Sequence, residues 1–327
     1  MLSAWGKLRE MALRNRPKRK PQLWEDFFLS LRRRVEFEVG RRIQDDWLDR
    51  GHVVELSRIG FPPDAATLRI EVVPREMMNR AMFLYGAFEI SETRLVQALL
   101  APGMTFIDVG ANIGYYTLVA GRMVGDTGAV HCFEPNGTMR ERLEANVRRN
   151  SLRNVVVHGE AVAQGTGQVE FFISTWNANQ GISSLIPGRG REQKQSVPST
   201  SIDAFAATLG SRRIDLIKMD IEGAELLAIE GGRRTLGASD GPALIFEAEN
   251  VGPLAEVLGP LGYKVRRLHY TLENGLELPD PEADLENLFA TYEAPNYFAA
   301  KSEEVFEQAL LRANTARSPL LRLLGRV

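Results

Sequence analysis

Thr105-Phe-Ile-Asp-Val-Gly-Ala-Asn-Ile-Gly-Tyr-Tyr-Thr117 is the stretch on which the fold turns. Phe106, Ile107 and Val109 form the apolar, β-branched run of a buried strand, and Gly110 and Gly114 give a tight loop its backbone freedom before a helix begins. Asn112 stands where a third glycine often falls. Asparagine tolerates positive φ, so the loop still turns sharply there. A strand, a glycine loop and a helix in this order make a cradle for a nucleoside cofactor.

A second apolar strand, Ala129-Val-His-Cys-Phe-Glu-Pro135, ends in Glu134, 20 residues beyond Gly114. In doubly wound folds an acid at that offset accepts hydrogen bonds from ribose hydroxyls, and a carboxylate suits the task because it takes two at once. The loop lacks the G-x-G-x-x-G that brings a helix N-terminus onto a pyrophosphate, which counts against a nicotinamide-dependent oxidoreductase. Asp108 at the end of the first strand suits a ligand with a positive amino group. S-adenosylmethionine (SAM) is such a ligand, and Asp108, Gly110, Asn112 and Gly114 are assigned to its methionine end.

The pattern around this loop alternates. Strands are predicted near 105–109, 129–134, 154–158, 214–219 and 243–248, separated by helical patterns near 115–124, 138–149 and 223–236. That is an α/β chain with a mostly parallel sheet and helices on both faces. Apolar runs such as Ala243-Leu-Ile-Phe246 fit strands covered on both sides.

Tyr85-Gly-Ala-Phe-Glu89, Asp108-Val-Gly-Ala-Asn-Ile-Gly114, Phe133-Glu-Pro135, Asp215-Leu-Ile-Lys-Met-Asp-Ile-Glu-Gly-Ala-Glu225 and Leu244-Ile-Phe-Glu247 occur in this order. With them, roughly residues 80 to 300 resemble the FkbM-type SAM-dependent methyltransferases. The resemblance implies a class I methyltransferase-like, Rossmann-like fold whose sheet closes with a hairpin-like pair, here Tyr263-Lys-Val-Arg-Arg-Leu268 and Asn296-Tyr-Phe-Ala-Ala-Lys301. It also implies O-methylation of a hydroxyl on a sugar, glycolipid or polyketide. Glu160 and Ala161 follow the third strand, where related enzymes contact adenine. Ligands of open α/β sheets bind beyond the carboxyl ends of the strands, so Asp220, Glu222 and Glu247 are the candidate catalytic acids. Tyr115 or Tyr116 is a candidate partner for the sulfonium.

The 327 residues are 44% hydrophobic and 25% charged with net charge -2, an ordinary globular composition with no global case for nucleic acid. Cys132 is the single cysteine, which excludes an intramolecular disulfide framework and fits a cytoplasmic enzyme. His52, His131, His158 and His269 show no metal-ligand spacing and no metal is expected, although Asp220, Glu222 and Glu247 keep a divalent ion open as an alternative. No apolar run approaches the ~20 residues of a membrane span.

Three regions are expected: a basic, mainly helical N-terminal extension (1–80), the methyltransferase domain (81–302) and a helical tail (303–327). The first 20 residues carry Lys7, Arg9, Arg14, Arg16, Lys18, Arg19 and Lys20 against Glu10, either a solvated arm or a contact to an anionic surface. Apolar residues recur at intervals of four from Leu23, a breaker cluster sits at 60–64, and Leu68 to Val73 resembles a strand. The stretch 174–198 turns polar and reads as a flap or a disordered loop. A non-catalytic scaffold in a surface-polysaccharide assembly is the reading outside enzymology. The acceptor and the oligomeric state are not legible.

Overall fold

The computed structural model describes residues 49–56, 66–174, 183–188, 190–271, 275–283 and 295–315. The chain separates into two units, Met1–Gln44 and Asp45–Val327, and every described residue lies in the second. The basic arm, the helical pattern at 23–48, the breaker at 60–64, the polar cluster at 177–181 and the apolar group at 320–324 fall outside the described residues.

In chain order the elements are β1 (His52–Glu55), β2 (Arg69–Val72), α1 (Met77–Tyr85), α2 (Ile90–Leu99), β3 (Thr105–Val109), α3 (Tyr115–Val124), β4 (Ala129–Phe133), α4 (Gly137–Arg149) and β5 (Val155–His158). Then follow β6 (Ala161–Val162), β7 (Gly167–Ile173), β8 (Gln193–Thr200), α5 (Ile202–Thr208), β9 (Leu216–Met219), α6 (Glu225–Glu230), α7 (Arg233–Gly237), β10 (Ala243–Glu247) and α8 (Gly252–Leu258). The last elements are β11 (Lys264–Arg267), β12 (His269–Thr271), β13 (Gly275–Glu277), β14 (Asn296–Ala300) and α9 (Glu303–Thr315).

Seven strands form one sheet in the order β11-β14-β10-β9-β3-β4-β5. β10, β9, β3, β4 and β5 run parallel, and β14 lies antiparallel between β10 and β11. This is the class I methyltransferase-like arrangement. The two closing strands are partners but not a hairpin, because β12 and β13 form their own antiparallel pair between them.

The sheet is buried on both sides, as its near-continuous apolar strands require. One core packs Phe106, Val130, Leu216, Ile245 and Phe298 against α2, α3, α4 and α9, and the other packs Ile107, Phe133, Ile217, Leu244 and Phe246 against α5 to α8. Alternate residues of the same strands feed opposite cores.

The strand expected at Leu68 to Val73 is β2, which pairs with β1; Ile70 and Val72 join the first core alongside Phe306 and Ala309 of α9. Other expectations change. The Tyr85–Glu89 motif lies between α1 and α2, which begins only at Ile90, because Gly86 (φ 66°) and Glu89 (φ 39°) both leave helical backbone. The polar stretch ends at Gln193, where β8 begins and pairs with β7 along its length.

Asn146, fully buried on α4, joins β2 to the glycine loop. Its Oδ1 accepts from Glu71 N (2.8 Å) and its Nδ2 donates to Ile113 O (2.9 Å). Asn146→Ala strands both backbone groups, and urea unfolding should show a loss of about 2 kcal/mol. A loss below about 0.5 kcal/mol would mean that water replaces the amide.

Candidate functional site

Because side chains alternate along a strand, Asp108, Lys218 and Glu247, each two residues beyond Phe106, Leu216 and Ile245, reach one face at the carboxyl ends of β3, β9 and β10. Lys218 is 2% exposed. Its Nζ lies 3.1 Å from Asp220 Oδ2 and 4.4 Å from the centre of the Tyr116 ring. Burial works to lower its pKa, but the Asp220, Glu89 and Asp108 carboxylates outweigh burial and hold the ammonium above the ordinary lysine range.

More carboxylates than cations meet here. Tyr116 donates to Glu89 Oε2 (2.7 Å), and Glu89, Asp220 and Glu247 each bring a carboxylate oxygen within 4.8 Å of the other two. Burial first, then Asp220, Glu89 and Glu222, push Glu247 up to about 10, so it carries a proton at neutral pH. Such oxygens can receive and orient hydroxyl groups, or hold a hard cation.

The glycine loop builds the other wall. A Cβ on Gly110 (φ +81°) would stand 2.0 Å from the carbonyl oxygen of Asp220, so glycine lets the turns after β3 and β9 touch backbone to backbone. Asn112 takes the positive φ expected of it, 51°. Its N–H donates to Glu134 Oε2 (2.8 Å), and Asn136 N donates to Glu134 Oε1 (2.9 Å). Glu134 is thus aimed by two backbone amides. Burial pushes its carboxyl up to about 7, against the pull of those amides.

Gly110, Asn112, Glu134, Ala161 and Asp220 line one cleft of about 510 Å³, part of it open to solvent. Asp108, Gly114, Glu160, Glu222 and Glu247 are not in its lining. Asp108, 1% exposed, accepts from Thr117 Oγ1 (2.6 Å) and faces Lys218 instead. Gly114 packs against Leu143, Glu160 lies beside His158, and Glu222 pairs with Arg191 Nη2 at 3.1 Å. Tyr116 is occupied by Lys218, and Tyr115 by Thr93.

Sequence reasoning missed two parts of this site. Glu89 lies in a motif it quoted, but its link to Tyr116 and Lys218 spans α2, α3 and β9. Phe171 lines the cleft from the small β6-β8-β7 sheet, which was not predicted; 183–185, which also line it, lie in the stretch read as a flap. Phe171-Phe-Ile173 was the available signal, an apolar run bounded by turn residues.

The sequence has counterparts among known proteins. Residues 108–265 match the model of the Methyltransferase FkbM domain. Over this stretch the chain is similar to the FkbM-type methyltransferases. It is 35% identical over 100 residues, 30% of this chain and 47% of the other, to a protein of Sulfurisphaera tokodaii described as a probable cobalt-precorrin-6B C(15)-methyltransferase (decarboxylating). A protein of Sulfolobus acidocaldarius with the same description is 39% identical over 105 residues, 32% of this chain and 50% of that one. The chain spans about half the length of these curated relatives. The crystal structure of methyltransferase FkbM from Methylobacillus flagellatus KT is similar at 20% identity and a TM-score of 0.41, covering 60% of this chain and 43% of that one.

Glu134 generates a pH prediction. If Glu134 takes the ribose hydroxyls, they would donate to its ionised carboxylate, so binding of S-adenosylhomocysteine should release a proton below pH 7. Affinity should rise with pH until about 7 and level off above it, by up to about tenfold per unit on the rising side. Calorimetry from about pH 5.5 to 8.5 should give this profile, and Glu134→Gln should flatten it. A slope that survives in Glu134→Gln would assign the proton elsewhere.

Proposed function

We propose that the protein is a SAM-dependent O-methyltransferase that acts on a hydroxyl of a saccharide or glycoconjugate, in the cytoplasm. The carrying observation is that Gly110, Asn112, Glu134 and Asp220, from the ends of β3, β4 and β9, line a single cleft. SAM supplies an electrophilic methyl group. The cleft fits it: Glu134, held by two amides, would take the ribose hydroxyls, Ala161 and Phe171 would flank the adenine, and the amides of the turn at 110–112 would hold the carboxylate end. Among the described residues, no helix is long and apolar enough to cross a membrane.

The acids at the ends of β9 and β10 then serve the acceptor. Asp220 lines the cleft and keeps one oxygen on Lys218, leaving the carboxylate to accept the hydroxyl proton as the new carbon–oxygen bond forms and the methyl–sulfur bond breaks, with S-adenosylhomocysteine as the leaving group. A positioned base of this kind contributes about 100- to 10,000-fold. Glu247, protonated, can donate a hydrogen bond to a second acceptor oxygen, and Glu89 can receive one. A polyol offers both kinds of partner on neighbouring carbons, which favours a saccharide. The basic arm at 1–20 would add contact with an anionic surface where the glycoconjugate is anchored.

Methyl transfer from labelled SAM to a panel of oligosaccharides, glycolipids and polyketides tests the reading. Labelling confined to polyketides would move the substrate class, and tight binding of NAD with no binding of S-adenosylhomocysteine would end the proposal. On the acceptor found, Asp220→Asn should lower turnover by about 100-fold or more while S-adenosylhomocysteine affinity stays within about threefold. Glu247→Gln, which imitates the protonated acid, should cost less than about tenfold. Near-normal turnover of Asp220→Asn at saturating substrates would remove Asp220 as the base.

A further inference from the structure

The turn after β9 is an unfavourable piece of backbone. Glu222 has φ +57° and Gly223 φ +97°, and a side chain in the left-handed region costs about 1 kcal/mol or more. Something must over-determine it. On its inner side Glu225 Oε1 accepts from Ile221 N at 2.9 Å. On its outer side, Ser184 Oγ lies 2.8 Å from Ile221 O and 3.1 Å from Glu222 O, close enough to donate to either.

Arg191 completes the outer side. Its Nη2 meets Glu222 Oε2 at 3.1 Å, and its Nη1 reaches Glu222 O (3.3 Å) and Ile186 O (3.2 Å). The guanidinium side chain is 12% exposed, which distinguishes this pair from the solvated ion pairs that contribute little. A planar fork reaching a carboxylate and two carbonyls fixes direction as well as charge. Ser184 is itself fixed, because its N–H and C=O both pair with Phe172 at the end of β7 (3.0 and 2.8 Å).

We propose that Ser184, Arg191 and Glu222 form a latch that ties the roof of the cleft to the turn carrying Asp220, so that the roof opens for cofactor exchange only when this turn is released. The proposal rests on the cofactor reading of the cleft. Ser183, Ser184 and Leu185, here called the roof, and Asp220 and Ile221 all line the cleft, and the latch is a direct polar connection between these two segments. Arg191 and Glu222 are positioning residues here. Glu222 leaves the set of candidate bases, because its carboxylate is spent on Arg191.

Amide hydrogen exchange on the full ligand-free chain reads the latch without substrate. Arg191→Met should raise exchange at 183–186 and 221–224 together by about tenfold or more and leave β4 unchanged; Arg191→Lys, which keeps the charge but loses the two-nitrogen fork, should fall between. Glu222→Gln should have a smaller effect, and the double variant should be no worse than Arg191→Met alone, since both changes break one connection. Stopped-flow dissociation of S-adenosylhomocysteine should accelerate in the same order, by about tenfold in Arg191→Met. A folded Arg191→Met protein with unchanged exchange at 221–224, or a double variant whose effect is the sum of the two singles, overturns the latch. Failure of the unaltered protein to bind S-adenosylhomocysteine sinks the cofactor reading alone, and the exchange comparison still decides whether roof and turn move together.

Discussion

A buried ammonium organises the active end of this sheet. Removing a lysine from water costs several kcal/mol unless close opposite charges repay it, and Lys218 is repaid by Asp220, Glu89 and Asp108 from three different elements. The dependence runs both ways. Without Lys218, the carboxylates at the ends of β3, β9 and β10 would repel one another at short range in a poorly solvated place. The Tyr116 ring covers the same ammonium and its hydroxyl fixes Glu89, so one cation sets the positions of α2, α3 and three strand ends.

The second constraint is the contact of two turns. Gly110 permits the backbone after β3 to lie against Asp220 O, and this approach brings the glycine loop and the turn carrying Asp220 into a single cleft. Any side chain at 110 would separate them. Asn112 and Glu134 then add a cross-tie, for the amide that needs positive φ to point correctly is the one that aims the carboxylate.

Much of this was legible in the sequence because it is local. The strand ending at Val109, the loop to Gly114, the helix at 115–124 and the acid at 134 are written in consecutive residues, and the structure places Gly110, Asn112 and Glu134 in one cleft. Asp108 was legible as important but not in its direction: the period-2 pattern that buries Phe106 carries Asp108 inward, onto Thr117 and Lys218. Glu89 was hidden because its partners lie 27 and more residues away, joined only by packing. β8 was hidden for another reason. Gln193-Lys-Gln-Ser-Val-Pro-Ser-Thr200 lies in a small outlying sheet with little apolar signal, and Pro198 sits where only β7 flanks it, the one kind of strand position that spares a missing N–H.

Glu222 and Glu247 show why residue type alone does not assign chemistry. Both are acids beyond the carboxyl ends of strands, and both read as candidate bases. The structure gives one a guanidinium and the other a crowd of like charges, so the first is spent on geometry and the second holds its proton. On the proposed reading, this imbalance also gives the reaction a direction. An acid-rich site with one resident ammonium attracts the positive sulfonium of the methyl donor, whereas the thioether left after transfer has lost that charge and with it part of its hold on the site. The same carboxylates that gather the reactants thereby weaken retention of the product, and a latch between roof and turn would convert that weakening into release.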